Sequence, residues 1–250
     1  MLLRLIGKWL KAGVLEEGCV YHPETGTPQG GVASPLLANV YLHEVLDEWF
    51  GSVVKPRLRG RAFLVRYCDD FVMVFEQEHD ARRVLDVLPK RFGKYGLRLH
   101  PEKTRLVEFR RLPRHHPGGQ GGGSFDFLGF TYFWRRSRNG NWVLGHKTAC
   151  TRFSRALHRI SQWMRAHRHS PVREQHRQLV QKLRGHYAYY GVTGNYRALA
   201  AYLHWVKRLW EKWLDRRSNS RRLSWDKMQR MMDVYPLPSP RIVHLAPRRT

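Results

Sequence analysis

Two adjacent carboxylates, Asp69 and Asp70, lie between two apolar runs that are typical of β-strands. Leu64 and Val65 precede them, and the apolar run of residues 71–75 follows. Two neighbouring acids within one strand would point to opposite faces of a sheet, where burying either charge would be costly. A tight hairpin between the runs lets both acids share one site, so the sequence predicts a hairpin with these residues at its turn.

Like charges at such a turn repel each other unless cations lie between them. Mg²⁺ prefers carboxylate oxygens together with substrate phosphate, which is the chemistry of phosphoryl transfer with two metal ions. One ion activates the attacking hydroxyl, and the other stabilises the leaving pyrophosphate. A turn that binds no ligand explains the dipeptide alone equally well, so both interpretations remain open on these two residues.

The excess of basic residues is the strongest signal in the composition. The 250 residues include 45 Lys and Arg against 20 Asp and Glu, which gives a formal net charge of +25. Such a charge predicts a polyanionic partner, although a merely basic surface or a membrane-surface protein would also produce it. The basic residues are interleaved with 11 Tyr, 11 Phe and 9 Trp, whose rings can stack on bases. The composition therefore favours a nucleic acid and not a membrane.

Cysteine usage and hydropathy indicate the cellular location. Cys19, Cys68 and Cys150 are far apart and form no CxxC pair, so neither a disulfide framework nor a zinc knuckle is indicated. The chain has no apolar run of about 18 residues, and we expect no membrane span, no signal peptide and a reducing, cytoplasmic location. The opening segment is predicted to be an amphipathic helix within a domain, which indicates that Met1 is not the natural start of the fold.

The spacing of apolar residues predicts an α+β layer domain up to about residue 130. The strand-like runs cover residues 62–65, 71–75 and 105–109, and the helical stretches cover residues 35–50 and 81–95. Residues 113–124, rich in Gly, Pro and His, are predicted to form a loop. Asn139-Gly140 lies between two apolar runs and predicts a hairpin turn.

From residue 151 apolar residues recur every three to four positions, in three successive stripes. This predicts a bundle of three amphipathic helices over residues 151–235, followed by an extended proline-rich tail over residues 236–250. Basic residues recur along the neighbouring faces of two helices, and we expect them to contact RNA phosphates. They are Arg152, Arg155 and Arg159 on the first helix and Arg208, Lys212 and Arg216 on the third. A solvated polar face is the alternative, but on the third helix only Glu211 and Asp215 oppose the positive charges.

Four short motifs follow one another along the first 130 residues. Tyr67-Cys68-Asp69-Asp70 resembles the Y/F-x-DD box of reverse transcriptases, with Cys68 where the family usually has Ala. Upstream, TPQGGVASPLLAN resembles the TPQGG-x-x-SPLL-x-N segment of group II intron enzymes. Downstream, GLRLHPEKT resembles GL-x-L-x-x-EKT and FDFLGF resembles F-x-FLGF. The final third is similar to the thumb and maturase region of bacterial group II intron proteins, so the resemblance spans almost the whole chain.

The resemblance implies the C-terminal portion of a group II intron reverse transcriptase and maturase. Residues 1–150 would form a partial palm domain with an antiparallel sheet and helices, and residues 151–235 an all-α thumb and maturase region of three helices. The implied activity is RNA-directed DNA polymerisation, with Asp69 and Asp70 as catalytic ligands of two Mg²⁺ ions. The implied partners are intron RNA, an RNA template with a DNA or RNA primer, and dNTPs.

The same resemblance implies further contacts with the substrates. Nucleotide or template contacts would be made by Pro28, Gln29, Gly30, Tyr67 and Lys103, and primer contacts by Leu128 and Gly129.

Reverse transcriptases of this family also need a third carboxylate on an earlier strand. No acid before Asp69 resembles it, because the nearest ones, including Asp47, belong to an amphipathic helix. We therefore expect the isolated chain to extend primers very slowly or not at all. Three hypotheses remain: a reverse transcriptase part whose missing segment comes from another chain or was lost from the gene model, an RNA-binding splicing cofactor without polymerase activity, and a decayed mobile element.

Overall fold

The computed structural model describes residues 2–10, 14–16, 19–21, 34–111, 120–137, 139–217 and 224–245. The chain divides into two compact units, residues 1–106 and residues 107–250. Both contain helices and small antiparallel sheets, as the predicted α+β class requires. The domain division predicted after residue 150 falls inside the second unit and stays a prediction. Among the helices in the described ranges, none is long and apolar enough to cross a lipid bilayer.

The described part of the first unit contains short strands that pair as two antiparallel hairpins. In chain order the elements are α1 (Leu2–Leu10), β1 (Val14–Glu16), β2 (Cys19–Tyr21), α2 (Ser34–Leu42), β3 (Ala62–Tyr67), β4 (Asp70–Phe75) and α3 (Glu78–Lys94). β1 pairs with β2, and β3 pairs with β4. The strands predicted at residues 62–65 and 71–75 are therefore present.

Helical backbone continues beyond α2. Wide helical turns follow over His43–Glu48 and Phe50–Val54, and a 3₁₀ turn over Lys55–Arg57 completes the segment. The backbone becomes extended at Leu58. The helix predicted to end at residue 50 is thus longer than the sequence pattern indicated.

The core of the first unit lies between this long helical segment, α3 and one face of the β3–β4 hairpin. Its buried residues are Val45, Leu46, Trp49, Phe50, Val54, Ala62, Val84, Leu88 and Phe92. Leu64 and Met73 of the hairpin pack against them, whereas Phe63 and Val65 on the other face are exposed. A slip of one residue would exchange the two faces, so the core fixes the register of the hairpin.

A buried carboxylate anchors the loop that leads into β3. Asp80 is 1% exposed, and its Oδ2 accepts hydrogen bonds from the backbone N–H groups of Arg59 and Gly60 at 2.8 and 3.0 Å. Because β3 starts directly after this loop, the anchor and the register together determine where the hairpin turn lies.

The second unit begins with a three-stranded antiparallel sheet in the order β5-β6-β7. The strands are β5 (Gln120–Phe127), β6 (Phe130–Arg136) and β7 (Trp142–Thr148). The predicted turn at Asn139 and Gly140 joins β6 to β7, with Gly140 at φ +74°.

Two predictions around β5 are wrong. Residues 105–109 form no strand, and the described backbone beside them makes an isolated bridge between Arg110 and Gly122. The predicted loop over residues 113–124 also fails in part, because residues 120–124 belong to β5. A Cβ on Gly123, which has φ +74°, would overlap the carbonyl oxygen of Glu108. Close approach of two backbone segments therefore accounts for this glycine.

The predicted helices of the second unit are present and are followed by a fourth. The helices are α4 (Cys150–Ala166), α5 (Val172–Tyr190), α6 (Tyr196–Asp215) and α7 (Trp225–Val234). Their shared core contains Ile160, Met164, Leu179, Leu183, Tyr187, Leu199, Tyr202, Val206, Trp210, Leu214, Met228 and Met232. Tyr196, at the start of α6, is 51% exposed and lies outside this core. α7, which the prediction of three helices left out, adds its methionines to the same core.

The described part of the proline-rich tail, residues 236–245, forms no helix or named strand and makes hydrogen bonds to α5, and its extended conformation stays a prediction. Tyr187 Oη donates a hydrogen bond to the Pro238 carbonyl at 3.1 Å. The backbone N–H of His244 donates to the Gly191 carbonyl at 2.9 Å. The tail therefore helps to fix the C-terminal end of α5.

Asn195, which is 1% exposed, connects the sheet to the helices. Its Oδ1 accepts a hydrogen bond from the Thr148 N–H at 2.9 Å. Its Nδ2 donates to Thr148 Oγ1 and to the Tyr190 carbonyl, both at 2.9 Å. One side chain thus joins the end of β7, the end of α5 and the start of α6.

Replacing this connector should destabilise the protein. We expect Asn195→Ala to lower the free energy of unfolding by about 2–3 kcal/mol, because the buried partners on Thr148 and Tyr190 lose their hydrogen bonds. Urea denaturation followed by circular dichroism measures the change. Asn141→Ala, at an exposed position, is the matched control and should change stability by less than about 0.5 kcal/mol. Equal effects of the two substitutions would contradict the role assigned to Asn195.

Candidate active site

The two predicted catalytic carboxylates lie at the turn of the β3–β4 hairpin. Tyr67 pairs with Asp70, so Cys68 and Asp69 are the two residues of the turn. Cys68 has φ +53°, in the left-handed region that residues with a Cβ rarely adopt but that tight hairpins favour. Asp69 and Asp70 are exposed, as is Tyr67. The predicted hairpin is present, and both carboxylates are accessible.

Arg66, immediately before this turn, holds it in place. Its guanidinium donates hydrogen bonds to both carboxylate oxygens of Asp47, at 2.8 and 2.6 Å. It also donates to Asn39 Oδ1 at 2.8 Å and to the Cys68 carbonyl at 2.9 Å. The last bond fixes the peptide that joins Cys68 to Asp69, so the placement of Asp69 depends on Arg66.

Asn39 connects the same turn to the start of α2. Its Nδ2 donates to the Pro35 carbonyl at 3.1 Å and lies 3.9 Å from Cys68 Sγ. α2 follows the segment with the predicted nucleotide contacts Pro28, Gln29 and Gly30, which lie outside the described ranges. The start of this helix and the carboxylate turn are therefore held together.

The ion pair gives Asp47 a role that the sequence analysis missed. Hydrogen bonds from Arg66 hold the pKa of Asp47 below its usual range, and although burial opposes this shift, His43 adds to it. Both carboxylate oxygens of Asp47 are engaged by Arg66, so this carboxylate holds the hairpin. A basic residue among apolar strand positions was the available signal, since an Arg that is 13% exposed needs a partner.

The carboxylate turn fits part of a magnesium site. Asp69 and Asp70 offer the oxygen ligands that Mg²⁺ prefers. Across the described ranges, no three His, Cys, Asp or Glu side chains come together as a group that could hold a metal ion. Further ligands of an ion bound at this turn would come from other residues, from water or from a substrate phosphate.

Lys103 lies in a turn after α3. Its backbone N–H donates to the His100 carbonyl at 3.2 Å, and its side chain is exposed. The contacts found within the described ranges do not connect Lys103 to the carboxylate turn, so its predicted role stays a prediction.

The predicted primer contacts, Leu128 and Gly129, form the two-residue turn between β5 and β6. Their φ angles are +49° and +78°. Both carbonyls of the turn accept a hydrogen bond: Leu128 from Tyr189 Oη at 3.0 Å, and Gly129 from the Ala149 N–H at 2.9 Å. A Cβ on Gly129 would lie 3.1 Å from Tyr190 Oη, which leaves little room for a side chain. The turn is thus tightly held.

The basic residues predicted to bind RNA are all exposed. They are Arg152, Arg155 and Arg159 on α4 and Arg208, Lys212 and Arg216 on α6. Arg208 forms an ion pair with Glu211 at 3.3 Å. Lys212 and Arg216 lie over the Trp213 ring, 5.5 and 5.3 Å from its centroid. The ring positions these two cations on the surface.

A second basic surface on α5 escaped the sequence analysis. An open groove of about 840 Å³ is lined by Arg173, Arg177 and Arg184 together with Glu174, His176 and three side chains that do not ionise. The spacing of the arginines is helical, and that signal could have found the groove.

Comparison with known proteins gives four findings. Residues 3–132, just over half of the chain, match the family model described as reverse transcriptase (RNA-dependent DNA polymerase). The group II intron-encoded protein LtrA of Lactococcus lactis is 60% identical over 42 residues, which cover 17% of this chain and 7% of that protein. Protein YkfC of Escherichia coli is 30% identical over an alignment of 173 residues, and the match covers 55% of this chain and 40% of that protein. Telomerase reverse transcriptase of Oryzias latipes is 27% identical over 124 residues, and the match covers 49% of this chain and 10% of that protein. The chain spans less than half the length of these relatives.

The Arg66–Asp47 ion pair should make stability depend on pH. The pKa of Asp47 in the folded chain lies below its unfolded value of about 3.9. The pair therefore contributes fully above that value and loses its contribution as the pH falls through the folded-state pKa. We expect Asp47→Asn to lower the unfolding free energy by about 1–3 kcal/mol near neutral pH.

The difference in melting temperature between wild type and Asp47→Asn should shrink below about pH 4, as scanning calorimetry at several pH values would show. Glu44→Gln, at an exposed position on the same helical segment, is the control and should have little effect at any pH. A difference that stays constant down to about pH 3 would contradict the pairing.

Proposed function

Because the chain belongs to the reverse transcriptase (RNA-dependent DNA polymerase) family, we propose that it contributes catalytic and RNA-binding parts to a group II intron reverse transcriptase and maturase. The predicted resemblance to group II intron proteins is confirmed by the matches to such proteins. One observation carries the catalytic proposal: the hairpin turn with Asp69 and Asp70 lies within the matched residues 3–132 and is held by Arg66.

In the proposed reaction a primer hydroxyl attacks a dNTP on an RNA template. Asp69 and Asp70 would hold Mg²⁺, and the bound ion would supply the positive charge that activates the hydroxyl and stabilises the leaving pyrophosphate. Arg66 keeps the turn fixed, so that little reorganisation is needed during the reaction. Tyr67, Lys103 and the segment before α2 contact nucleotide or template, and the Leu128–Gly129 turn contacts the primer backbone.

The catalytic site needs at least one more carboxylate than the described residues bring together. This proposal rests on the lack of a three-ligand group in the described ranges and on the engagement of Asp47 with Arg66. A metal site with too few ligands loses both affinity and geometry. The 250-residue polypeptide by itself should therefore extend primers slowly, and an added N-terminal segment of this family should raise the rate.

RNA binding by the helices of the second unit is the other part of the proposal. The exposed basic faces of α4 and α6 suit the phosphate backbone of intron RNA, and the groove on α5 adds three more arginines. These surfaces lie in a different compact unit from the carboxylate turn. Because RNA binding by these surfaces does not involve the carboxylates, the alternative function is an RNA-binding splicing cofactor that needs no polymerase activity.

The catalytic proposal predicts a large loss of primer extension when either carboxylate is changed. Asp69→Asn and Asp70→Asn should each reduce the rate by about a thousandfold or more, because losing one ligand weakens charge stabilisation by both ions. The assay measures dNTP incorporation on an RNA template with Mg²⁺, using the chain fused behind an N-terminal segment of about 100 residues from a related protein.

Asp86→Asn, at an exposed position on α3, is the matched control and should keep the wild-type rate. The unfused chain serves as a second comparison and should be much slower than the fusion. Near wild-type extension by both Asp69→Asn and Asp70→Asn would refute the polymerase assignment.

The RNA proposal predicts a steep dependence of binding on salt. Changing Arg208, Lys212 and Arg216 together to Gln should reduce the slope of log affinity against log salt by about two units, since each lost phosphate contact removes about 0.7–0.9. Filter binding of the 250-residue chain to structured intron RNA at several salt concentrations measures the slope.

The control removes the same charge elsewhere. Arg83, Lys90 and Lys94 are exposed on α3, and changing all three to Gln should affect the slope less. If the two triple variants behave alike, the face of α6 is not a specific RNA contact.

A further inference from the structure

The Leu128–Gly129 turn is strained at its first residue. Leu128 and Cys68 are the non-glycine residues with positive φ in the described part of the chain. The left-handed conformation costs a residue with a Cβ about 1–2 kcal/mol. Such a conformation persists only where surrounding groups enforce it, and it is common at functional sites. The groups that hold Leu128 therefore indicate what the turn is built to do.

The hydrogen bond from Tyr189 is one of these groups. Tyr189 lies in the last turn of α5, and its hydroxyl donates to the Leu128 carbonyl at 3.0 Å. Its ring stacks on Phe130 with the centroids 6.1 Å apart and the planes at 15°. The residue is 54% exposed, so the side chain reaches the turn along the surface and is not enclosed by the core.

The end of α5 gives this side chain a fixed base. Asn195 Nδ2 donates to the Tyr190 carbonyl at 2.9 Å, and Asn195 is buried. The Gly191 N–H donates to the Tyr187 carbonyl at 2.8 Å, and the tail bonds back to the Gly191 carbonyl. The backbone on both sides of Tyr189 is therefore anchored.

The hydrogen bond also determines a direction. In a trans peptide the N–H points away from the C=O, so holding the Leu128 carbonyl toward Tyr189 turns the Gly129 N–H to the opposite side. Backbone N–H groups are common donors to nucleic-acid phosphates. The space that a Gly129 side chain would need is taken by the rings of Tyr190 and Tyr189, so the two tyrosines pack closely on the turn.

We propose that Tyr189 is a positioning residue for the primer: its hydroxyl orients the Leu128–Gly129 peptide so that the turn can bind a phosphate of the primer backbone. This inference rests on the proposed primer-binding role of the turn. The ring of Tyr189 packs on Phe130, and its hydroxyl orients the Leu128–Gly129 peptide. These two contributions can be separated by substitution.

Two substitutions separate these contributions. Tyr189→Phe removes the hydroxyl and keeps the stacking on Phe130, whereas Tyr189→Ala removes both. Tyr196→Phe, at a tyrosine that is 51% exposed, is the matched control. The binding measurement uses the 250-residue chain and two RNA/DNA duplexes of equal length, one with a recessed DNA primer end on an RNA template and one blunt. Fluorescence anisotropy gives the ratio of the two dissociation constants.

We expect wild type and Tyr196→Phe to prefer the recessed duplex. Tyr189→Phe should reduce that preference about three- to tenfold, as losing one positioning hydrogen bond implies, with unchanged affinity for the blunt duplex and a melting temperature lowered by no more than about 4 °C. Tyr189→Ala should lose the preference for the recessed duplex and should also have a lower melting temperature. The carbonyl carbon resonance of Leu128 should shift in Tyr189→Phe and not in Tyr196→Phe, which tests the hydrogen bond without any nucleic acid.

The outcomes distinguish the primer-binding role of the turn from the positioning role of Tyr189. If wild type shows no preference for the recessed duplex, the primer-binding role of the turn fails, and the role of Tyr189 fails with it. If wild type shows the preference and Tyr189→Phe keeps it in full, the turn binds primer but Tyr189 does not position it. An unshifted Leu128 resonance in Tyr189→Phe would overturn the positioning role independently of binding.

Discussion

The favoured two-residue hairpin turns require a positive φ at their first position, because that twist matches the twist of the strands. Cys68 and Leu128 meet this requirement at a conformational cost, since neither is glycine. In both turns a side chain holds the carbonyl of the strained residue: Arg66 does so for Cys68, and Tyr189 for Leu128. The residues proposed to contact metal and primer therefore depend on side chains outside the turns themselves.

The charges of the chain fall into two physical classes. Arg66 is largely buried, and its bidentate pairing with Asp47 compensates the lost hydration, so this cation is committed to structure. The basic residues on α4 and α6 are exposed, and even Arg208, which pairs with Glu211, lies at the surface where a polyanion can reach it. Trp213 lies beneath Lys212 and Arg216 and restrains them without neutralising their charge. A net charge alone does not distinguish these classes, whereas burial does.

Local patterns predicted the β3–β4 hairpin and the helices α4, α5 and α6, because each is encoded by the period of its own apolar residues. The Arg66–Asp47 and Tyr189–Leu128 contacts join residues far apart in sequence, and no local period encodes them. The strand predicted at residues 105–109 fails for a related reason. Phe109 packs its ring against Phe125 and Trp134, at centroid distances of 5.0 and 5.5 Å, so its apolar character serves ring packing and not strand pairing. Residues 120–124 were missed as strand because glycines carry no side-chain pattern.

Each strained turn is held by a side chain whose own position depends on a packed helix. The local geometry of the turn therefore depends on the folding of the unit that contains it. Arg66 reaches Cys68 from a position set by Asp47, which is correctly placed only when the long helical segment after α2 packs on the hairpin. Tyr189 reaches Leu128 only when the end of α5 is held by Asn195 and by the tail. A partly folded chain could contain both hairpins and still relax both turns, because the strain would no longer be opposed. Each turn should therefore reach the geometry proposed for catalysis or primer binding only when the core of its own unit has formed. An incompletely folded molecule would lack that geometry and would be inactive.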